Sequence, residues 1–174
     1  MDYTYEYASP LGQMTMASDG ERLTGLWFNG QKYFADTLTA QCQHKPLHIF
    51  GQTAGWLDCY FSGKVPGFTP ALAPAGSQFR LDVWDILKTI PYGNTVTYKS
   101  IAAEIARRKG IASMSAQAVG GAVGHNPISI IIPCHRVVGC GGNLTGYAGG
   151  IDKKTKLLEI ERADLSKLFL PKKG

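Results

Sequence analysis

One run, residues 126–138, constrains this chain more than any other. Ile130, Ile131 and Ile132 form a short apolar stretch that Pro133 closes, and Cys134, His135 and Arg136 follow at once. A short apolar run of this kind predicts a buried strand. Pro133 has no N–H to donate, so it is expected to end the strand and fix the backbone there. A cysteine on such a support is either a small core hydrophobe, as free cysteines often are, or a reactive group held rigidly enough for chemistry. Polar His135 and Arg136 and the glycine-rich run 139–150 favour the second reading.

The rest of the chain predicts an α/β (α+β) protein of two domains, residues 1–76 and 77–174. The first reads as a small antiparallel sheet with a helix. Tyr3, Tyr5 and Tyr7 alternate with Thr4, Glu6 and Ala8. Met14 and Met16 mark a second strand and Leu23 to Phe28 a third, with turns at Pro10 and Asp19. Leu47, Phe50, Ala54, Leu57 and Phe61 recur at helical steps and predict the covering helix. Residues 64–76, rich in proline and glycine, read as an extended linker or crossing strand. Cys42, His44, His48 and Cys59 are a poor zinc set, because the spacing is wrong and Cys59 falls inside a helix pattern; no metal is expected.

The second domain reads as mainly helical, with the cysteine on its short strand. A first helix starts at Ser77 or Gln78. Thr97 caps another, Tyr98 to about Arg108, and Ser113 or Ser115 caps the next, Ala116 to about His125. This pair is either a helix-turn-helix or a plain helical hairpin. The helix from Ala116 carries three glycines and three alanines between 115 and 124, so it is intrinsically weak. Its thinness suits either close approach to a nucleic-acid groove or tight helix packing. Charge is uneven: residues 1–76 hold 4 Lys/Arg against 6 Asp/Glu, residues 77–174 hold 14 against 7, giving −2 and +7. A field of that sign favours polyanions, though basic surfaces are common. A last helix, Ile151 to about Ala163, turns Glu161 toward the side of Leu157 and Leu158, where a carboxylate needs a partner.

Pro133-Cys134-His135-Arg136-Val137, with Tyr98, Asn126, Tyr147 and Glu161 in that order around it, resembles the alkyl-acceptor region of the O6-alkylguanine-DNA alkyltransferases, also called methylated-DNA–protein-cysteine methyltransferases. The resemblance spans nearly the whole chain and is strongest from about Phe79 to Glu161. It implies irreversible, single-turnover transfer of an alkyl group from O6-alkylguanine, and from O4-alkylthymine, to Cys134 after the base is flipped out of duplex DNA. It implies that His135 takes the thiol proton, directly or through a water, and that Glu161 holds the other ring nitrogen. Tyr98 is implied as donor to guanine N3 and Asn126 as the brace of the active turn. Gln117, Ala118, Gly121, Arg136, Val137, Tyr147 and Ala148 are implied contacts to the substrate or DNA, with the helix from Ala116 entering the minor groove, backbone around Cys134 and Val137 reading the base edges, and Tyr147 beside the acceptor. Two departures stand out: Gln117 replaces the arginine many relatives use to fill the vacated stack, and Ala148 stands where some have serine. The link after Arg107, Arg108 and Lys109 is longer than in many relatives, and is expected to add phosphate contacts.

No cofactor is expected, since nothing is present to cleave a thioether. With no run of 18 apolar residues, no basic start followed by an apolar core, and no Cys-x-x-Cys spacing, the chain is expected to be a cytoplasmic monomer without a membrane span. Three rival readings remain at this point: a cysteine hydrolase using Cys134, His135 and Glu161, a protein that binds alkylated bases without repairing them, and a regulator using the helix pair alone.

Overall fold

Alternating tyrosines produce the first strand, β1 (Asp2–Ser9), which a tight turn joins to β2 (Gly12–Ser18) in antiparallel register from Tyr3↔Ser18 to Ser9↔Gly12. β3 (Leu23–Phe28) adds antiparallel to β2. A fourth strand that periodicity did not reveal, β4 (Cys42–His44), pairs parallel to β1 at the sheet's other edge, giving the order β3-β2-β1-β4. Three residues are too few for an alternation to show. Helix α1 (His48–Phe61) lies against the sheet through Ile49, Phe50, Thr53, Trp56, Leu57 and Tyr60. Phe50 and Leu57 are as expected, but Ile49 and Trp56 replace Ala54 and Phe61 at the centre of its inner face. Met14, Met16, Leu23, Leu26 and Phe28 supply the other side of this core, each such burial contributing about 1.5–3 kcal/mol before entropy is counted.

The structure is a computed structural model that describes residues 1–171, and it divides into two compact units. The first comprises residues 1–75 together with Pro127–Ile131. The residues 64–76 stretch does behave as a crossing strand at its end: Leu23 N–H donates to Ala71 O and Ala73 N–H to Leu23 O, both 2.8 Å. Pro127–Ile131 joins this unit by a bridge at Leu26↔Ile128, with Leu26 N–H on Pro127 O at 2.8 Å and Ser129 N–H on Leu26 O at 2.9 Å.

The second unit comprises residues 76–126 and 132–174. It starts with α2 (Gln78–Leu87), whose cap Ser77 accepts from Arg80 N–H. A two-residue strand, β5 (Val96–Thr97), runs into α3 (Tyr98–Lys109), and Thr97 and Ser100 exchange side-chain and backbone bonds in a capping box. Gly110, at φ +65°, ends that helix in the left-handed conformation that glycine adopts without strain. Ser115 caps α4 (Ala116–Gly124), and Trp84 Nε1 donates to Ala122 O at 2.8 Å, tying α2 to α4. β6 (Val137–Val138) pairs parallel to β5. The last helix is α5 (Ile151–Ile160).

The apolar run 130–132 is buried but is not a strand. It forms a turn, with Ile131 N–H on Ser129 O and Cys134 N–H on Ile132 O, both 2.8 Å. Ile130 sits at φ +70°, a costly place for a β-branched side chain. Burial, which the sequence announced, does not require a ladder when local carbonyls take up the N–H groups. The short strand beside the cysteine is β6, three residues further on.

Candidate active site

Cys134, His135 and Arg136 form one turn of 3-10 helix between the bend and β6. The turn aims Cys134 and His135 inward: their residual exposures are 5 % and 0 %. Glu161, the C-cap of α5, arrives from the opposite side, 2 % exposed. Its Oε2 accepts from His135 Nε2 at 2.5 Å and from an Arg136 Nη2 at 3.2 Å. Its Oε1 accepts from Arg136 Nε at 2.8 Å and from Gly93 N–H at 3.0 Å. A buried carboxylate needs this density of donors. These partners hold Glu161 well below the usual carboxylate range despite the opposing effect of burial.

Arg136 is placed otherwise than expected. Its guanidinium is committed to Glu161 and, through Nη1, to Ile90 O at 2.7 Å. Those bonds leave it inside the protein, 9 % exposed, as the counter-charge of Glu161 and not as a contact for DNA. Because Arg136 already balances Glu161, burial keeps His135 in the neutral form, its pKa lowered. With Nε2 on Glu161, Nδ1 is the ring nitrogen left to receive a proton from another group.

Burial pushes the Cys134 thiol up. Opposing that, the Asn126 side chain bonds Cys134, and the positive charge of Lys154 and the backbone N–H groups of the turn act in the same direction. Asn126 Nδ2 also donates to Ile132 O at 2.7 Å, so one side chain clamps the bend and the sulfur together. Lys154 is a residue that the sequence did not mark. It lies on α5, is 0 % exposed, and donates from Nζ to Thr145 O at 2.9 Å. Burial brings it down to about 8. A lysine in a charge-rich helix reads as solvated; only its position four residues after Gly150, on the leucine-bearing side, hinted otherwise.

Tyr98, the first residue of α3, reaches across to the glycine-rich segment: its hydroxyl donates to Thr145 O at 3.1 Å and Gly146 O at 3.2 Å. Burial and the nearby Cys134 push its pKa up to about 12. Tyr98, Gln117, Gly120, Gly139, Cys140, Thr145 and Gly146 are among the residues lining a cleft of about 430 Å³, within the usual range for small-ligand sites of roughly 300–1,000 Å³. Gln117, Ala118 and Gly121 are exposed, whereas Val119, Ala122 and Val123 are buried. A Cβ built on Gly121 or Gly124 would meet nothing within 4 Å. Ala118 and Gly121 therefore present a thin exposed face, while Ala122 on the other side of α4 is packed inside. Val137 is buried in β6; Tyr147 and Ala148 are half-buried in the loop and do not line this cleft.

Arg107 and Arg108 are less available than expected, since both bind Glu104, at 2.7–2.9 Å. Among the described residues no group of three or more His, Cys, Asp or Glu is placed to hold a metal, and no helix is long and apolar enough to cross a membrane. Cys42, Cys59, Cys134 and Cys140 are all free thiols.

Two family profiles match. "6-O-methylguanine DNA methyltransferase, DNA binding domain" covers residues 78–163, and "6-O-methylguanine DNA methyltransferase, ribonuclease-like domain" covers residues 1–74. The chain is 40 % identical over 155 residues to the methylated-DNA–protein-cysteine methyltransferase of Methanosarcina acetivorans, spanning 89 % of this chain and 95 % of that one. It is 43 % identical over 155 residues to the Mycobacterium tuberculosis protein of the same name, spanning 89 % of each. The crystal structure of Mycobacterium tuberculosis OGT in complex with DNA superposes with a TM-score of 0.80 at 41 % identity, over 92 % of both chains. Matched by both profiles and by relatives along most of its length, the chain belongs to the 6-O-methylguanine DNA methyltransferase family.

Proposed function

We propose that this protein repairs DNA by moving the alkyl group of O6-alkylguanine irreversibly onto Cys134, with His135, Glu161, Asn126 and Tyr98 in named roles. The observation that carries the reading is the buried pair of His135 and Glu161: a neutral histidine, in the same turn as the buried Cys134, whose Nε2 is held by an ionised glutamate. His135 Nδ1 takes the Cys134 proton, in one step or through a water. Glu161 stabilises the imidazolium that results. The thiolate attacks the alkyl carbon in line; the carbon–O6 bond breaks as the carbon–sulfur bond forms, and its electrons pass into the purine. Guanine leaves having gained one proton, the number the thiol released. Tyr98, with its pKa pushed up to about 12, keeps its own proton and assists as a hydrogen-bond donor to N3. Its hydroxyl turns from the Thr145 and Gly146 carbonyls to do so.

Duplex DNA is the partner. The exposed small-residue face of α4 supports minor-groove docking, with Gln117 at the cleft mouth filling the space of the flipped base. The protein acts as a monomer, since the site needs no second copy, and free thiols suit the reducing cytoplasm.

Mass spectrometry after mixing with an O6-methylguanine duplex tests the reading. One methylene's mass is expected on the peptide containing Cys134, at one equivalent and no more, and none in Cys134→Ser. Regeneration of the thiol, or turnover of a generic ester beyond one equivalent, defeats it in favour of a hydrolase. Tight binding of the lesion with an unmodified sulfur defeats it in favour of a non-repairing binder.

A further inference from the structure

The loop that carries half of the cleft is a difficult one to order. Residues 139–150 hold six glycines, and glycine loses more conformational freedom on being ordered than any other residue. Its lining residues fall in two groups, Gly139 and Cys140 at one end and Thr145 and Gly146 at the other. Tyr98 and Lys154 hold the second group by its carbonyls. The middle, Gly142 to Leu144, is tied to Gly139 by the loop's own bonds, Gly139 N–H on Asn143 O at 2.7 Å and Gly142 N–H on Gly139 O at 3.1 Å, and from outside the loop by the chain returning after α5. Phe169 N–H donates to Gly142 O at 3.0 Å and Leu144 N–H to Phe169 O at 2.8 Å, a parallel bridge. Leu165 and Leu168 pack on a buried cluster of Val138, Leu144 and Leu158. The approach is so close that a Cβ on Gly142 would lie 2.0 Å from Lys167 O, at φ +98°. This returning segment lies beyond residue 163, where the match to the DNA-binding profile ends.

We infer that residues 165–170 are a positioning strut for the base-receiving cleft, gripping its loop at the midpoint between the two lining groups. The inference rests on the repair reading above and adds a segment that sets how fast that reaction runs. The strut touches no substrate. It acts by removing the freedom of Gly142 to Leu144, so that Gly139 and Gly146 stay where a base must enter.

Phe169→Pro in the full chain tests it. The substitution deletes one bridge donor at an exposed residue, and Phe169→Ala is the control that keeps the backbone bond. Two readouts are taken well below the melting temperature: hydrogen exchange at the Leu144 amide, and the saturating single-turnover transfer rate from a duplex carrying O6-methylguanine. The expected result for Phe169→Pro is exchange at least tenfold faster and a saturating rate at least threefold lower, with Phe169→Ala unchanged in both. Leu168→Ala, which weakens the grip from the side-chain end, is expected to move both readouts in the same direction. Faster exchange with an unchanged rate overturns the strut, because the segment is then packing alone. Unchanged exchange in both variants overturns it too, because the bridge then does not order the loop. A wild-type protein that fails to transfer at all strikes the repair reading instead.

Discussion

Lys154 and Tyr98 share one acceptor: the Thr145 carbonyl takes the lysine Nζ at 2.9 Å and the tyrosine hydroxyl at 3.1 Å. The ammonium also lies 5.9 Å from the centre of the Tyr98 ring. On the proposed reading, in which Tyr98 turns its hydroxyl to a base, Lys154 keeps that carbonyl satisfied. It also leaves a positive charge within range of the sulfur.

Lys154→Met removes the charge and keeps the volume. Lys154 is a buried charge held by a neutral carbonyl, and burying a charge without an opposite one is costly, so the melting temperature is expected to hold or rise. Transfer is expected to slow by roughly tenfold, the size of one lost charge-assisted bond of about 1.5 kcal/mol or more. Thiolate absorbance against pH checks the cause: the Cys134 titration should move upward. An unmoved titration with a slowed rate would put the effect in the loop.

Glu161→Gln leaves the Arg136 guanidinium buried without its counter-charge. Breaking a buried pair from one side costs about 3–5 kcal/mol, which chemical denaturation will read directly. The same variant should slow transfer by roughly 100-fold, within the ordinary range for general base catalysis, because nothing then stabilises the His135 imidazolium.

Acid should weaken the fold in two stages. Native His135 is held neutral, so below about pH 6.5 the unfolded chain binds a proton that the native chain does not. Stability therefore falls as pH falls from that point. Glu161 adds a second loss: its native pKa is depressed, so its contribution is complete above about pH 4.3 and fades as pH drops toward the depressed value. Melting temperatures between pH 8 and pH 3 should show both, and His135→Gln should abolish the upper stage while the lower one, still supported by Arg136, persists in reduced form.

Gln117→Ala tests the exposed face of α4. Weaker binding to a methylated duplex is expected, by about threefold to tenfold, with transfer from a free alkylated base within twofold of wild type. Equal loss on the free base would move Gln117 from the DNA to the chemistry.

The residue order was enough to single out Cys134, His135 and Glu161 as residues to be buried in one place, because Pro133-Cys134-His135-Arg136 is a local pattern and Glu161 follows the leucines of α5 at helical spacing. Helix ends were legible for the same reason: Ser77, Thr97 and Ser115 satisfy backbone donors within three residues of themselves. What folding in three dimensions decided was the set of partners. Arg136 became the counter-ion of Glu161, residues 130–132 became a bend clamped by Asn126, Lys154 went inside to a loop carbonyl, and the end of the chain came back to hold Gly142. Each of those choices joins groups distant along the chain or inverts a surface preference. A buried charge or a strained backbone is tolerable only where distant elements supply the donors and the contacts, and that supply is a property of packing, to which spacing along a sequence is blind.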